Sequence, residues 1–345
     1  MTTEDVNSVS GTSGVLRGRR KDRRVSNLVA LTSIAVAGIV LALLPIWIGD
    51  SRSHMSVAIS GLLFVCYAIA FNLIFGSTGQ LFLAVGALAG VGAYASAIIS
   101  DRLGVPFPLA MMLATGLSML IGGGFSWIAV RRSLDIIFTG IVTLVFSLAF
   151  DNILLGQRDL TGGETGLVVE AGSDTFLRQQ IPPYYVFLGL VLIYLVGYVL
   201  LHSSHIGWAF RALRDDRMAA ELTGIDVSRY RIYAGVIGGG MLGLAGALWA
   251  HVEGFISPAT FTFIHVDVPV LLMVVFGGLG MLMGPVIGSV FFTYMGEVLA
   301  AFSHLRLIGE GTMLIVLFLL LPKGILGALR SGASGLRRRR QTSKR

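Results

Sequence analysis

Hydrophobic residues form long runs in this chain, and short polar segments separate one run from the next. A helix of about 20 apolar residues crosses the roughly 30 Å hydrocarbon core of a bilayer, because each residue rises about 1.5 Å. The runs therefore predict an all-α, polytopic transmembrane bundle of about ten spans, with eight or nine as the alternatives. The predicted spans cover residues 27–49, 54–75, 80–99, 107–130, 136–156, 183–201, 232–256, 266–283, 285–302 and 307–329.

The composition also indicates a membrane protein. Of the 345 residues, 54% are hydrophobic and 13% are charged, about half of the roughly 25% charged residues in soluble domains. The formal net charge is +7, but the basic residues cluster at the chain ends and in particular loops. Membrane topology explains this clustering better than nucleic-acid binding does, so we expect the lipid bilayer and no nucleic acid as a partner.

The positions of lysine and arginine predict which segments lie in the cytoplasm. With the N-terminus inside, five of the 26 basic residues fall in outer segments, namely Arg52, Arg102, Arg158, Arg178 and Arg306. This bias follows the positive-inside rule. Both termini are predicted to be cytoplasmic, with basic tails at residues 1–26 and 330–345 around a membrane domain at 27–329.

A charged, helix-prone segment at residues 203–230 separates two apolar runs, and the predicted topology places it in the cytoplasm. We expect a helix from about Arg211 to Thr223, because Gly224 suits the left-handed position that ends a helix. Asp226 can then cap the next span. The alternative is a helix lying on anionic lipid, but three acidic residues do not fit the basic polar face of such helices.

Polar residues at membrane depth are the first candidates for a translocation path, because a buried polar group is costly there. Asn72 and Gln80 flank a glycine-rich break at the predicted inner end of the second span. We expect five further polar residues to lie near the outer face, where water can hydrate them: Asp151, Asn152, His251, Glu253 and Asp267.

The pattern Phe-Gly-x-x-Gly occurs twice, at residues 75–79 and 276–280, and hints at an internal duplication. Small residues let transmembrane helices pack closely, whereas glycines in transporters also break helices along the substrate route. Both interpretations stay open for Gly76, Gly79, Gly277 and Gly280.

The longest predicted outer loop, residues 157–182, contains Thr-Gly-Gly-Glu-Thr-Gly at 161–166. Its glycines predict a tight turn. The loop is either a plain hairpin between spans or a surface for a binding protein, with Gly162, Gly163 and Glu164 as the contact residues.

Motifs for catalysis and nucleotide binding are absent from the sequence. A phosphate-binding loop needs Gly-Lys-[Ser/Thr], and the three lysines follow Arg20, Pro322 and Ser343. We therefore expect no enzymatic activity, no catalytic residue, no metal and no cofactor in this chain. If ATP drives the protein, another subunit must hydrolyse it.

Four stretches occur in order between about residues 55 and 327. The first is Ala-Ile-Ala-Phe-Asn-Leu-Ile-Phe-Gly-Ser-Thr-Gly-Gln at 68–80 with Gly92-Ala93-Tyr94, and the second is Leu-Thr-Gly-Gly-Glu-Thr-Gly-Leu at 160–167. The third is Ala-Leu-Arg-Asp-Asp-Arg-Met-Ala-Ala-Glu-Leu-Thr-Gly-Ile at 212–225. The fourth is Val-Val-Phe-Gly-Gly-Leu-Gly at 274–280 with Gly284-Pro285 and Leu321-Pro322-Lys323-Gly324. In this order they resemble the branched-chain amino acid permease family of ABC importers, in particular its second-permease type.

The resemblance implies a subunit of the bacterial inner membrane that works with a second permease, two cytoplasmic ATPases and a periplasmic solute-binding protein. ATP and Mg²⁺ would bind to the partner ATPase. The stretch at 212–225 would be the coupling helix, which docks in a cleft of that ATPase. Carried over by position, the ATPase contacts are Arg214, Asp215, Ala220, Glu221 and Gly224. The candidates for the translocation path are Asn72, Gly76, Gly79, Gln80, Tyr94, Gly277 and Gly280.

One stretch departs from the family pattern. After Gly79-Gln80-Leu81 the family has a serine and then, two residues on, Gly-His, whereas this chain has Phe82 and then Ala84-Val85. The substrate therefore stays open between branched-chain amino acids and another amino acid, urea, an amide or an aromatic acid.

A stand-alone secondary transporter or channel for a small polar solute is the alternative function. It would need an ion or proton site within the membrane, for which His251 and Glu253 are the candidates.

Overall fold

The computed structural model describes residues 30–45, 52–169, 179, 181–215 and 217–300. The helices in this part of the chain are α1 (Ala30–Pro45), α2 (Arg52–Phe71), α3 (Val85–Leu103), α4 (Phe107–Arg131), α5 (Ile136–Gly156), α6 (Arg158–Thr161), α7 (Pro182–Ser203), α8 (His205–Asp215), α9 (Arg217–Leu222), α10 (Val227–Glu253), α11 (Asp267–Gly278) and α12 (Gly284–Ala300). A π-helical turn, Asn72–Gly76, continues α2. Two short antiparallel strands, β1 (Leu167–Val168) and β2 (Phe255–Ile256), pair Leu167 with Ile256.

Nine of the ten predicted spans coincide with helices, which confirms an all-α bundle. Within the residues that the structure describes, five helices are long and apolar enough to cross a membrane: α2 with its π-helical turn, α4, α5, α7 and α10. The predicted span at 307–329, the two terminal tails and most of residues 170–180 lie outside the described residues. The total of ten spans and the orientation of the termini stay predictions.

The polarity of α4 is the reverse of that of a helix in a water-soluble protein. Its buried residues are small: Ala110, Ala114, Ser118, Gly122, Gly123, Ser126 and Ala129. Its exposed residues are large and apolar: Leu109, Met112, Leu113, Leu117, Leu120, Trp127 and Ile128. An apolar exterior of this extent indicates contact with lipid or with a membrane partner.

Helix α10 lies at the centre of the bundle and packs most extensively against α4 and α3. The backbones of α4 and α10 approach closely, because a Cβ added at Gly122 would lie 2.6 Å from the carbonyl oxygen of Gly235. One added at Gly239 would lie 2.7 Å from the carbonyl oxygen of Ser118. These glycines therefore serve tight helix packing.

The connections between helices gather at two ends of the bundle. At one end, which we call the α8 end, the side chain of Arg214 reaches the loop between α11 and α12. At the opposite end, β1 pairs with β2, and the Arg102 guanidinium donates a hydrogen bond to the carbonyl oxygen of Asp159. Segments predicted to lie on one side of the membrane thus share one end of the bundle.

Candidate functional site

The turn that ends α2 brings three of the predicted path residues together at the α8 end. Asn72 is buried, and its Oδ1 accepts a hydrogen bond of 2.7 Å from the backbone N–H of Gly280. Its Nδ2 donates to the carbonyl oxygen of Met281 at 3.1 Å. A Cβ added at Gly76 would lie 2.7 Å from the nitrogen of Gly280. The side chain of Asn72 thus fixes the α11–α12 loop against α2.

The two Phe-Gly-x-x-Gly motifs end in the same backbone conformation. Gly79 and Gly280, the last glycine of each motif, both have a φ of +70°. Glycine adopts this left-handed conformation without the steric penalty that a Cβ brings. Gly277 has a different role, since an added Cβ there would overlap the carbonyl group of Gly284 and separate α11 from α12.

The other two path candidates lie apart from this turn. Gln80 is fully buried, and its Oε1 accepts a hydrogen bond of 3.0 Å from the hydroxyl of Ser126 on α4. Within the described residues its Nε2 has no hydrogen-bond partner. Tyr94 is buried on α3, where its ring lies 6.1 Å from that of Phe261 in the segment between α10 and α11.

The charged segment is helical on both sides of residue 216, which lies outside the described residues, and the predicted helix start at about Arg211 is wrong. Helix α8 begins at His205, because the hydroxyl of Ser204 accepts a hydrogen bond from the N–H of Ile206 and caps the helix. The described part of α8 runs to Asp215, and that of α9 runs from Arg217 to Leu222.

The predicted end of the segment is confirmed. Gly224 has a φ of +82°, and its N–H donates to the carbonyl oxygen of Glu221. The N–H of Ile225 donates to the carbonyl oxygen of Ala220, which completes a Schellman motif. Asp226 caps α10 by accepting a hydrogen bond of 3.2 Å from the N–H of Arg229.

Helices α8 and α9 bury one face against the bundle and expose the other. Phe210, Leu213 and Ala220 are buried. Trp208 is 59% exposed and Leu222 is 86% exposed. The sequence interpretation relied on the charged residues of this segment and missed both exposed apolar side chains.

The five residues predicted to contact an ATPase occupy different positions. Glu221 and Gly224 lie on the exposed surface, whereas Ala220 is buried. The guanidinium of Arg214 is exposed but donates a hydrogen bond of 3.2 Å to the carbonyl oxygen of Gly280. Asp215 belongs to α8.

Tyr198 and His202 near the end of α7, together with Ser77 after the π-helical turn, are three residues that the sequence interpretation missed. The ring of His202 stacks on the ring of Tyr198 with centroids 4.0 Å apart. Its Nε2 lies 3.2 Å from the hydroxyl of Ser77, which directly follows the π-helical turn. The hydroxyl of Tyr198 lies 3.4 Å from Nδ2 of Asn72. The only sequence signal was the position of these polar groups at the predicted end of a span.

The sequence predicts that Asp267 is hydrated at the outer face, and this prediction is wrong. It is 1% exposed, and its carboxylate accepts hydrogen bonds from the N–H groups of Val85 at 2.6 Å and Gly86 at 3.2 Å. These amides begin α3, so Asp267 caps a helix that starts inside the bundle. The nearby N–H of Leu83 donates to the hydroxyl of Thr143, in the middle of α5.

His251 is also buried, contrary to the expectation of a hydrated site. Its ring centroid lies 4.2 Å from that of Phe107, and its Nδ1 lies 3.0 Å from the carbonyl oxygen of Ala247. Glu253 is exposed and, with Arg52, lines a cavity of about 630 Å³. In the described part of the chain, no hydrogen bond or ion pair joins His251 to Glu253. The other two residues of that group, Asp151 and Asn152, are half-buried and exposed respectively.

The glycine-rich loop at the opposite end is a tight turn, as predicted. Gly162 and Gly163 have positive φ values of 74° and 56°. Thr161 fixes the turn, because its hydroxyl accepts a hydrogen bond from the N–H of Gly163 and donates to the carbonyl oxygen of Leu154. Gly163 is buried, whereas Glu164 is exposed.

An apolar exterior and several helices long enough to span a bilayer together define a multi-pass helical membrane protein. Its family follows from sequence comparison. The family described as branched-chain amino acid transport system / permease component matches residues 53–321, and the chain belongs to this family of ABC transporter permeases.

Individual relatives agree with the family assignment. The chain is 28% identical to the high-affinity branched-chain amino acid transport system permease protein LivM of Escherichia coli, over 87% of this chain and 74% of that protein. It is 26% identical to the probable branched-chain amino acid transport permease protein LivH of Methanocaldococcus jannaschii, over 77% of this chain and 89% of that protein. It is also 26% identical to the autoinducer 2 import system permease protein LsrC of an Enterobacter strain, over 82% of this chain and 80% of that protein. No solved structure gives a significant match.

Proposed function

We propose that this chain is one of two permease subunits of an ABC importer in the bacterial inner membrane. It forms half of the translocation path for a branched-chain or related amino acid. A separate ATPase subunit binds ATP and Mg²⁺, and a periplasmic protein delivers the substrate. ATP binding and hydrolysis shift the path between inward-open and outward-open states.

The observation that carries this proposal is the exposed face of α8 and α9. An apolar side chain that is 86% exposed, Leu222, stands beside the exposed Glu221. Protein interfaces have an apolar core and a polar rim, and Leu222 beside Glu221 fits this arrangement. The opposite face is packed into the bundle through Phe210 and Leu213, so a force applied to these helices reaches the membrane domain.

The substrate class follows from the family and from the names of the relatives. Three positions at which the family pattern has small or polar residues are apolar here, and Phe82, Ala84 and Val85 are all buried. These side chains therefore pack the bundle. We infer that selection between amino acids rests mainly with the periplasmic protein, and uptake measured with receptors of different specificity tests this. A substrate preference that does not follow the receptor would contradict it.

The turn at residues 162–164 is the proposed contact for the periplasmic protein, because Glu164 is exposed on a rigid turn at the end opposite α8. Reversing this charge with Glu164→Lys should raise the receptor concentration needed for half-maximal uptake. An unchanged receptor concentration would count against this contact.

The ATPase contact is tested by copurification with the candidate ATPase subunits. Leu222→Asp places a charge in the proposed contact and should reduce the recovered ATPase at least about tenfold, because a central apolar anchor contributes about 2 kcal/mol or more to an interface. The matched control is Leu103→Asp, since Leu103 is 72% exposed at a helix end on the opposite side of the bundle. Equal recovery with Leu222→Asp and wild type would refute the contact.

A further inference from the structure

Gly280, in the loop between α11 and α12, is held by hydrogen bonds on both sides of its backbone. Its N–H donates to Oδ1 of Asn72 on the turn that ends α2. Its carbonyl oxygen accepts from the guanidinium of Arg214 on α8. One residue therefore joins an inner turn of the bundle to the exposed helix, and neither hydrogen bond lies within a regular helix.

A second connection links α8 to the same turn through the end of α7. The guanidinium of Arg211 donates a hydrogen bond of 3.0 Å to the carbonyl oxygen of His202. The ring of His202 in turn contacts the hydroxyl of Ser77, at the end of the π-helical turn. The hydroxyl of Tyr198, one helical turn before His202, approaches Asn72. Both connections from α8 thus converge on residues 72–77.

The backbone at this point is suited to a change of conformation. Residues 72–76 form a π-helical turn, and such turns are frequent at functional sites in helices. Three glycines with positive φ lie just after the turn or at the α11–α12 connection that contacts it, Gly79, Gly278 and Gly280. Beyond the turn, residues 79–84 lie outside the helices and lead into α3. A movement of residues 72–77 would therefore be passed to the start of α3.

We propose that Asn72, Ser77, Tyr198, His202, Arg214 and Gly280 form a junction that transmits the displacement of α8 to α2 and to the α11–α12 hairpin. In this proposal Arg214 acts on the membrane domain of its own chain and is a positioning residue, while Glu221 and Leu222 contact the ATPase. The junction rests on the proposed function, since only a chain that is driven through α8 needs such a connection.

The first test measures amide hydrogen exchange in the isolated chain, reconstituted in lipid nanodiscs. Arg214→Ala removes the donor to Gly280, so amide exchange should become at least about threefold faster in residues 279–283 and also in residues 72–78. The control is Arg229→Ala, because Arg229 pairs with Asp226 within its own helix cap. Unchanged exchange in residues 72–78 of Arg214→Ala would overturn the junction.

The second test measures solute transported per ATP in the assembled transporter. Arg214→Ala should assemble with the ATPase and hydrolyse ATP within about twofold of wild type, but transport at least about fivefold less solute per ATP. Arg214→Lys retains a hydrogen-bond donor and should recover part of the lost transport per ATP. A variant that only impaired assembly would not show this recovery. Asn72→Asp should lower transport per ATP as well, and combining it with Arg214→Ala should add little, because both changes act on one loop.

The outcomes separate the two proposals. A wild-type chain that recruits no ATPase refutes the proposed function. The junction alone is refuted if the wild-type chain recruits the ATPase and transports solute, and Arg214→Ala transports as much solute per ATP as the wild type.

Discussion

Asp267 is the clearest case in which one side chain organises two helices. It is the first residue of α11, yet its carboxylate accepts the hydrogen bonds of the first amides of α3. A helix leaves its first N–H groups without partners inside the helix, and inside a membrane domain little water is present to satisfy them. The carboxylate provides this partner and also interacts favourably with the positive end of the helix dipole.

Replacing Asp267 should therefore destabilise the protein more than replacing an exposed cap. Asp267→Ala leaves two buried N–H groups unpaired, and we expect a loss of about 2 kcal/mol, whereas Asp267→Asn keeps an acceptor and loses less. Asp226→Ala, at the exposed cap of α10, is the control and should lose about 1 kcal/mol. Thermal unfolding in detergent measures these differences. An Asp267→Ala midpoint equal to that of Asp226→Ala would contradict the capping role.

At the level of elements, the contact between α4 and α10 depends on which glycine of a run faces the neighbouring helix. The run Gly122-Gly123-Gly124 lies on α4. A Cβ added at Gly122 would meet the backbone of Gly235, whereas one added at Gly124 has nothing within 4 Å. Because the backbone of the opposing helix cannot rotate away as a side chain can, the two positions should respond differently to the same substitution.

Gly122→Ala should push α4 away from α10 and destabilise the fold by about 1–3 kcal/mol. Gly124→Ala should be neutral or stabilise the helix by up to about 1 kcal/mol, since alanine favours helix more than glycine does. Detergent-solubilised yield and thermal unfolding distinguish the two variants. If both variants unfold at the wild-type temperature, the close helix contact is not what stabilises this interface.

For the whole molecule, the connections gather at two ends that carry different candidate surfaces. Glu221 lies on the surface at the α8 end, and Glu164 lies at the opposite end. The distribution of lysine and arginine predicts that the α8 end faces the cytoplasm. The proposed function requires this orientation, because ATP is available there.

Thiol labelling with a membrane-impermeant maleimide tests the orientation. The chain has one cysteine, Cys66, which is buried, so the wild-type protein should stay unlabelled and serves as the control. Glu164→Cys should react in spheroplasts, whereas Glu221→Cys should react only in inverted vesicles. Labelling of Glu221→Cys from the outside would exclude an ATPase contact at α9.

The sequence alone determined where the apolar helices are and how the charged segment ends. Runs of apolar residues specify helices locally, because a backbone in lipid must satisfy its own hydrogen bonds. Gly224 and Asp226 could be assigned for the same reason, since their partners lie within five residues along the chain.

The tertiary structure alone decided which polar groups meet. Asn72 and Gly280 are 208 positions apart, and Val85 and Asp267 are 182 positions apart. No local pattern specifies such pairs, because they depend on the depth at which each helix begins and on how closely glycines let the helices approach. For this reason Asp267 and His251 were expected at a hydrated surface but are buried, and the hydrogen bond from Arg214 to Gly280 was not expected.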